Sequence, residues 1–296
     1  MELTTDHVWT RISGIFPRHL LNEVMAYKAE GYYFSAAYKK GHWDGTVSFL
    51  HYHKSQKYYY FGTGFLPAVC NVLDLHEVPY TLHDNRIYSE YKPVYSLLDK
   101  NGNRTVHLND GKWDYQARAL DSVLMHGRGV LKIATGGGKT EIGAAAIASV
   151  NKRTLWFTHR KGLMYQTHRR LEERLGHKVG LLGDGHKDLQ YVTVGMVQTL
   201  ASLDEYLSKY LASIEFVIGD EVHHLQSDQW YNNFGKIGAA WRLGLTATPG
   251  FHGPGLALQA MTGGIIHEVS MLELIERGVL VIPRIWFAKC TEPFVD

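Results

Sequence analysis

The 296-residue sequence predicts an α/β protein, a parallel sheet with helices on both faces, preceded by a small α+β domain. Three observations predict it. From residue 111 onward, short apolar runs alternate with longer helical segments, the pattern of strands joined by crossover helices. One strand-to-helix junction carries three consecutive glycines followed by Lys139 and Thr140. Residues 1–95 have another texture, with one helical stretch and short aromatic runs broken by glycine.

In chain order, residues 20–30 read as a helix, and the aromatic strands after it are punctuated by Gly31, Gly41, Gly45, Gly62 and Gly64. The polar stretch Lys100-Asn-Gly-Asn-Arg104 places a linker at 96–110, with the second domain at 111–280. There, strands are expected at 129–134, 153–158, 191–194, 214–219 and 241–246, and helices at 140–150 and 161–175. Right-handed crossovers would align the strand ends, and with them a site, along one edge of the sheet.

Hydrophobic residues make up 45% and charged residues 20%, values of a globular chain rather than a disordered one. No apolar run reaches the roughly 18 residues of a membrane span, and the N-terminus lacks the basic start and apolar stretch of a signal peptide. Cys70 and Cys290 match no metal spacing, and they are read as reduced thiols of a cytoplasmic protein without a membrane partner. Residues 1–110 hold eleven basic and eleven acidic residues, so the net +2 arises beyond them. Residues 151–170 contain Lys152, Arg153, Arg160, Lys161, Arg169 and Arg170 and no acid. Taken alone, such a run reads as a solvated helix face.

The strongest chemical signal is Ile133-Ala-Thr-Gly-Gly-Gly-Lys-Thr140. Thr135, Gly136, Gly137 and Gly138 would wrap backbone N–H groups around a phosphate at the positive end of the next helix. Lys139 would reach the β- and γ-phosphates of ATP, and Thr140 would place its hydroxyl on Mg²⁺. Ile133 stands where the general phosphate-loop pattern has its first glycine. A second signal is an apolar strand ending in Asp220 and Glu221. Asp220 would hold Mg²⁺, partly through water, and Glu221 would act as general base toward the attacking water. His223 and His224 follow, but no third residue stands at zinc spacing. In Leu245-Thr-Ala-Thr-Pro249, Thr246 and Thr248 would report the γ-phosphate to a neighbouring domain.

These three motifs, in this order and spacing, resemble those of superfamily 2 helicases, which implies a RecA-like phosphate-loop fold with ATP and Mg²⁺ as cofactors. The resemblance extends to weaker signals. Asp114-Tyr115-Gln116 is similar to the Q motif, implying that Gln116 reads the adenine edge with Tyr115 or Trp113 packing nearby. Trp113 stands two residues before Tyr115, where the family often has an arginine. Residues 157–166 and 194–200 resemble the family's DNA-contacting motifs, placing Thr158, His159, Arg160, Gln198 and Thr199 along a tracked strand, and His223 with Thr246 and Thr248 in coupling. The front segment, with Trp43-Asp44-Gly45 at its centre, resembles the UvsW helicase family of T-even phages, as a T5-like phage counterpart would. That family drives branch migration, regresses forks and unwinds R-loops, so the resemblance implies branched or forked DNA as partner and a host-cytoplasm location during phage recombination and repair.

Thirteen aromatic residues lie between Tyr27 and Phe65, interleaved with lysines. Alternation on strands makes most of them core. Lys39 and Lys40, then His42, Lys54 and Lys57, are the expected DNA contacts. The paired-arginine motif of a second RecA-like domain is absent, and 281–296 reads as the start of a connection to that missing domain. An RNA helicase, a restriction-type duplex translocase subunit, or a non-catalytic nucleotide- or DNA-binding module remain the alternatives.

Overall fold

A computed structural model of the chain describes residues 1–201, 204–221, 228–283 and 286. The front unit runs β1 (Glu2–Thr5), β2 (Trp9–Ser13), α1 (Arg18–Met25), β3 (Ala26–Lys28), the one-turn α2 (Ala36–Lys39), β4 (Thr46–Ser48), β5 (His51–His53), β6 (Tyr58–Gly62), α3 (Leu66–Leu75) and β7 (Thr81–Asp84). Its main sheet has the order β5-β6-β2-β1-β7, antiparallel except for the β1–β7 pair. The alternation Leu3, Thr5 and Ile12, Thr10 turns one face of this sheet inward. The helix expected over 20–30 stops at Met25, because Ala26–Lys28 leave the helix to pair with Thr46–Ser48.

A short hairpin of β8 (Ser96–Leu97) and β9 (Val106–His107) follows. The segment 96–110 is therefore more than a polar connector. Leu97 and Leu108 are buried, anchoring the hairpin, while its tip at 100–105 is exposed. Residues 100–104 dominated the sequence pattern because two apolar anchors in fifteen residues make no periodic signal.

The second unit then runs α4 (Asp114–His126), β10 (Arg128–Ile133), α5 (Lys139–Val150), β11 (Thr154–Thr158), α6 (Lys161–Leu175), β12 (Gly180–Gly183), β13 (His186–Asp188), β14 (Val192–Met196), α7 (Glu205–Ala212), β15 (Phe216–Asp220), α8 (Asp228–Gly235), β16 (Trp241–Thr246), α9 (Leu256–Thr262), β17 (Ile265–Val269) and α10 (Met271–Glu276). Eight strands form one sheet in the order β13-β12-β14-β11-β15-β16-β10-β17, and every pair but β12–β13 is parallel. The central strands are apolar without a break because both faces are covered.

Successive residues of those strands enter two different cores. Val130, Leu155 and Val217 join Leu3, Ile12, Phe61, Phe65, Phe234 and Met261 on the face toward the front unit. Leu131, Trp156 and Ile218 join Leu120, Ile142 and Ala146 on the other. The front unit thus shares its core with one face of the large sheet. The approach is close enough to need glycine: a Cβ on Gly64 would sit 1.8 Å from the Gln259 carbonyl oxygen, and one on Gly62 would sit 2.5 Å from that of Ala260. Arg128 ties the same seam, donating from Nη1 to the His7 carbonyl at 3.0 Å and from Nε to the Thr262 carbonyl at 3.1 Å.

Of the thirteen aromatics between Tyr27 and Phe65, only Phe49, Phe61 and Phe65 are buried and Phe61 alone of these lies on a strand, so the expectation that alternation makes most of them core is corrected. Tyr33, Phe34 and Tyr38 stand exposed on an arm between β3 and β4 whose base is fixed by Asp44, which accepts from the Thr46 N–H and hydroxyl and pairs with Lys28. Their positions lie outside any strand, so the period-2 argument never applied to them.

Candidate active site

Strands β15, β16 and β10 are neighbours, and their register brings three motifs to one edge. Asp220 lies opposite Leu245, and Thr246 lies opposite Lys132, one residue before the strand gives way to the glycine loop. This is where open parallel sheets bind ligands. In the loop, Gly136 and Gly138 hold φ near +85° and +79°, conformations that a side chain would strain. Gly138 also caps α5, whose N-terminal N–H groups open into the cleft. Helix α5 is fixed because Ile142 to Ile147 are buried, with Gly143 packed flat against the Trp156 ring.

The cleft has a volume of about 730 Å³ and is lined by Thr135, Gly136, Gly138, Lys139, Thr140, Asp220 and Glu221 from the predicted motifs. Lys139 Nζ lies 3.3 Å from Glu221 Oε1 and donates to the Ile133 carbonyl at 3.3 Å. Glu221 sits at φ +48°, a left-handed conformation in a non-glycine residue at the strand end. Asp220 is 7% exposed, and its carboxyl is raised to about 6, first by burial and then by the adjacent Glu221 charge, with Lys139 only partly offsetting them. Two carboxylates with less than their share of positive charge, beside a threonine hydroxyl, form a donor set suited to a hard divalent cation. The glycine cradle, the ammonium and these oxygens fit a nucleoside triphosphate with Mg²⁺.

Around the loop, the predicted residues take different stations. Tyr115 is fully buried and donates its hydroxyl to the Gly137 carbonyl at 2.9 Å, and Gln116 Nε2 lies 3.5 Å from the same oxygen. Tyr115 therefore buttresses the loop and offers no face to an adenine. Trp113 is half-exposed and lines a neighbouring pocket of about 400 Å³ with Gln116, Val106, His107 and Asp110. That pocket meets the cleft at Gly136, Gly138, Glu141 and Arg170, so the hairpin taken for linker supplies one of its walls.

Thr246 is buried, whereas Thr248 is exposed and donates its N–H to the Thr246 hydroxyl at 3.1 Å. His223 lies outside the described residues, as does His224. Thr158 is fully buried, its hydroxyl turned onto the Arg160 carbonyl at 3.4 Å; it shapes the turn after β11 and does not face outward. The expectation that it contacts a strand is corrected: β11 is covered on both faces along its whole length, which seals Thr158 beneath its neighbours. Arg160 is exposed beyond it, and Gln198 donates to the His159 carbonyl at 3.1 Å, bringing the segments around 159 and 198 together, with Thr199 half-buried beside Gly183. Lys39 and Lys40 are exposed on the aromatic arm, apart from this turn.

Sequence reasoning missed a charged cluster on α6. Arg169 and Arg170 line the cleft, and Arg170 and Arg174 both bind Glu141 in the first turn of α5, at 2.7 and 2.6 Å. The basic run of 151–170 is thus split between the nucleotide cleft and the turn at Arg160. The i, i+4 spacing of Arg170 and Arg174 was a usable signal for a shared partner.

Comparison with known proteins matches the part of the chain that carries this site. Residues 112–251 match the family model described as Type III restriction enzyme, res subunit. The DNA 3'-5' translocase XPB2 of Sulfurisphaera tokodaii is 30% identical over 162 residues, 54% of this chain and 36% of that protein. The DNA 3'-5' helicase XPB of Mycobacterium tuberculosis is 30% identical over 143 residues, 46% of this chain and 26% of that protein. The chain thus corresponds to about a third or less of the length of these relatives. A structure of the UvsW helicase from bacteriophage T4 superposes with a TM-score of 0.70 over 90% of this chain and 99% of that one at 18% identity, and a longer T4 UvsW structure does so at 0.72 over 91% and 57%, also at 18%. Among the described residues, no helix is long and apolar enough to cross a membrane. Residues 112–251 thus resemble that restriction-enzyme family, and the chain has the α/β, RecA-like fold of UvsW over nine-tenths of its length.

Proposed function

We propose that this chain is the ATP-binding half of a DNA helicase or translocase that remodels branched or forked DNA in phage recombination and repair, working in the host cytoplasm. The observation that carries the reading is the meeting of Lys139, Asp220 and Glu221 in one cleft at the end of three adjacent strands. Lys139 would leave Glu221 for the phosphates, and Glu221 would then take the proton of the attacking water. Thr140 and Asp220 would hold Mg²⁺, Asp220 partly through water, and the ion would offset charge on the transferred phosphoryl group. Thr246 and Thr248, with His223, would relay the state of the γ-phosphate. A second RecA-like domain of the same protein would complete the site with arginines.

DNA as the substrate is supported by relatives named as a DNA translocase and a DNA helicase, and branched DNA by the UvsW fold over nine-tenths of the chain. Arg160, His159, Gln198 and Thr199 would contact the tracked strand, and Lys39 and Lys40, on an arm with exposed Tyr33 and Phe34, would grip DNA ahead of the motor. The test is strand displacement by the full-length protein on forked DNA, linear duplex DNA and duplex RNA. Faster ATP-dependent displacement of the fork, lost in Lys139→Ala and slowed ~10²–10⁴-fold in Glu221→Gln, is the expected result. Equal or greater activity on RNA would refute the DNA assignment.

A further inference from the structure

The main sheet of the front unit has two very different faces. Leu3, Ile12 and Phe61 point inward and are fully covered, in one core with Leu21 and Met25 of α1, Phe65, and Val69 and Leu73 of α3. The pairing Arg11↔Tyr60, His51↔Tyr60 and His53↔Tyr58 puts Trp9, Arg11, Tyr58, Tyr60, His51 and His53 together on the opposite face. A solvent face of an antiparallel sheet ordinarily carries Thr, Lys and Glu. This one carries five aromatic or imidazole rings, all only partly covered.

The rings are arranged as a platform. His53 and Tyr58 stack at 5.1 Å with an interplanar angle of 17°, and the Arg11 guanidinium lies 4.8 Å over the Tyr58 ring. Trp9 meets Tyr60 edge to face at 5.2 Å. Between them lies a cleft of about 210 Å³, lined by Asp6, Trp9, Arg11, His53, Tyr58 and Tyr60. Asp6 also lines the cleft, its Oδ1 accepting from the Val8 and Trp9 N–H groups at 2.7 and 2.8 Å, so the cations that would meet phosphates lie along the opposite edge. Arg11 is exposed at the rim, and the turn joining β5 to β6 adds exposed Lys54 and Lys57 next to His53 and Tyr58.

We propose that this sheet face binds single-stranded nucleic acid, with bases stacking on Tyr58, His53 and Tyr60 and the backbone phosphates following Arg11, Lys54 and Lys57. Ring faces with cations along one edge suit unpaired bases of any identity, since every base has a π-face and no ordered set of hydrogen-bond donors reads its edge. A duplex keeps its ring faces stacked internally and cannot use them. The far end of the platform is fastened to the motor: His51 Nε2 lies 2.9 Å from the Tyr231 hydroxyl on α8, and Trp9 packs against the same ring. A strand freed by the motor would therefore be held against the helix that follows the Asp220–Glu221 strand. The proposal rests on the reading of the chain as a nucleic-acid motor and adds a strand site to it.

The test is fluorescence titration of the 296-residue chain with an oligothymidine containing 2-aminopurine, and with the corresponding duplex. Tyr58→Leu is expected to weaken the oligothymidine roughly tenfold or more and to lose the stacking quench, by the usual contribution of one base–aromatic stack. Tyr58→Trp, which keeps a stacking face, should retain affinity, and Tyr52→Leu, on the opposite face of β5, should not alter it. Arg11→Gln should make the dependence on salt shallower by about one contact. Should Tyr58→Leu lower the melting temperature, Lys54→Gln with Lys57→Gln decides, because both side chains are exposed. Normal oligothymidine binding in all these variants overturns the platform and leaves the motor reading intact. No binding of any nucleic acid by the unaltered chain overturns both.

Discussion

Arg242 is fully buried and has no carboxylate partner among the described residues, yet each of its three side-chain nitrogens donates a hydrogen bond. It donates to the Met261 carbonyl at 2.7 Å, to Ile237 at 2.7 Å and to Phe234 at 2.9 Å, and it stacks 4.6 Å over the Phe234 ring. These carbonyls end α8 and α9, so the cation neutralises the negative ends of two helices. Burial first, and then the nearby Arg128 charge, pull its pKa well below the ordinary arginine value. Arg242→Met keeps the length and apolar volume while removing the donors. Three charge-assisted hydrogen bonds of about 1.5–3 kcal/mol each are lost, against relief of a desolvation penalty of several kcal/mol. The carbonyls decide the balance. Met261 keeps its bond from Arg128 Nη2 and Phe234 keeps one from the Ile237 N–H, leaving the Ile237 carbonyl orphaned. One buried unsatisfied carbonyl and two weakened helix ends give an expected net loss of about 2–4 kcal/mol. Urea unfolding followed by tryptophan fluorescence measures it. An unchanged midpoint and slope would mean that the carbonyls are satisfied in another way and would refute the reasoning.

Gly64→Ala should cost several kcal/mol, because its Cβ would meet the Gln259 carbonyl at 1.8 Å and force the front unit off α9; differential scanning calorimetry that shows no loss would mean that the seam is loose. Arg160→Ala in the full-length protein should weaken DNA equally across sequences and flatten the salt dependence by about one released counterion, with an unchanged slope placing Arg160 off the path. Arg170→Gln removes one of the two arginines on Glu141 and a cationic wall of the cleft, and should raise the Kd for ATP about tenfold while Arg174 keeps α5 and α6 joined. Isothermal titration with ATP and Mg²⁺ measures it, and unaltered affinity would leave Arg170 a purely structural residue.

The phosphate loop and the two carboxylates were readable because their chemistry dictates residue types at fixed distances along the chain. Lys139 must follow glycines at a helix start, and Asp220 must end an apolar strand. Their convergence then followed from the crossover rule. What could not be read depended on burial, a property of the folded chain. Tyr115 and Trp113 are alike in sequence terms, but one is sealed under the loop while the other lines a pocket. Tyr33 and Tyr59 belong to the same aromatic run, yet one stands on an arm and the other packs on the core. Strands β12 and β17 escaped notice for a different reason. Gly180–Gly183 is bounded by glycines at both ends, and Ile265–Val269 lies at the sheet edge, half-exposed, with His267 and Glu268 interrupting its apolar character.

The shape of the phosphate loop is set by residues well outside its motif. Gly137 receives the Tyr115 hydroxyl on its carbonyl, and Asp114, the residue before, is held by Arg277 and Arg118. Arg277 lies on the residue following α10, stacks 5.6 Å over the Tyr115 ring and binds Glu273 at 2.9 Å. Leu274 and Leu280 then lie close over Gly137 and Gly136: a methyl group on Gly136 would meet Leu280 at 2.9 Å, and one on Gly137 would meet Ile133 at 2.5 Å and Leu274 at 3.1 Å. The loop is thus gripped from α4 before it and α10 after it, while β10 beneath it is packed on one face by the front unit. Because interiors are close-packed, a shift of α10 cannot be absorbed locally and must move Tyr115 or the Gly137 carbonyl. The motif therefore specifies what the loop binds, and its two distant flanks determine how well its N–H groups are aimed.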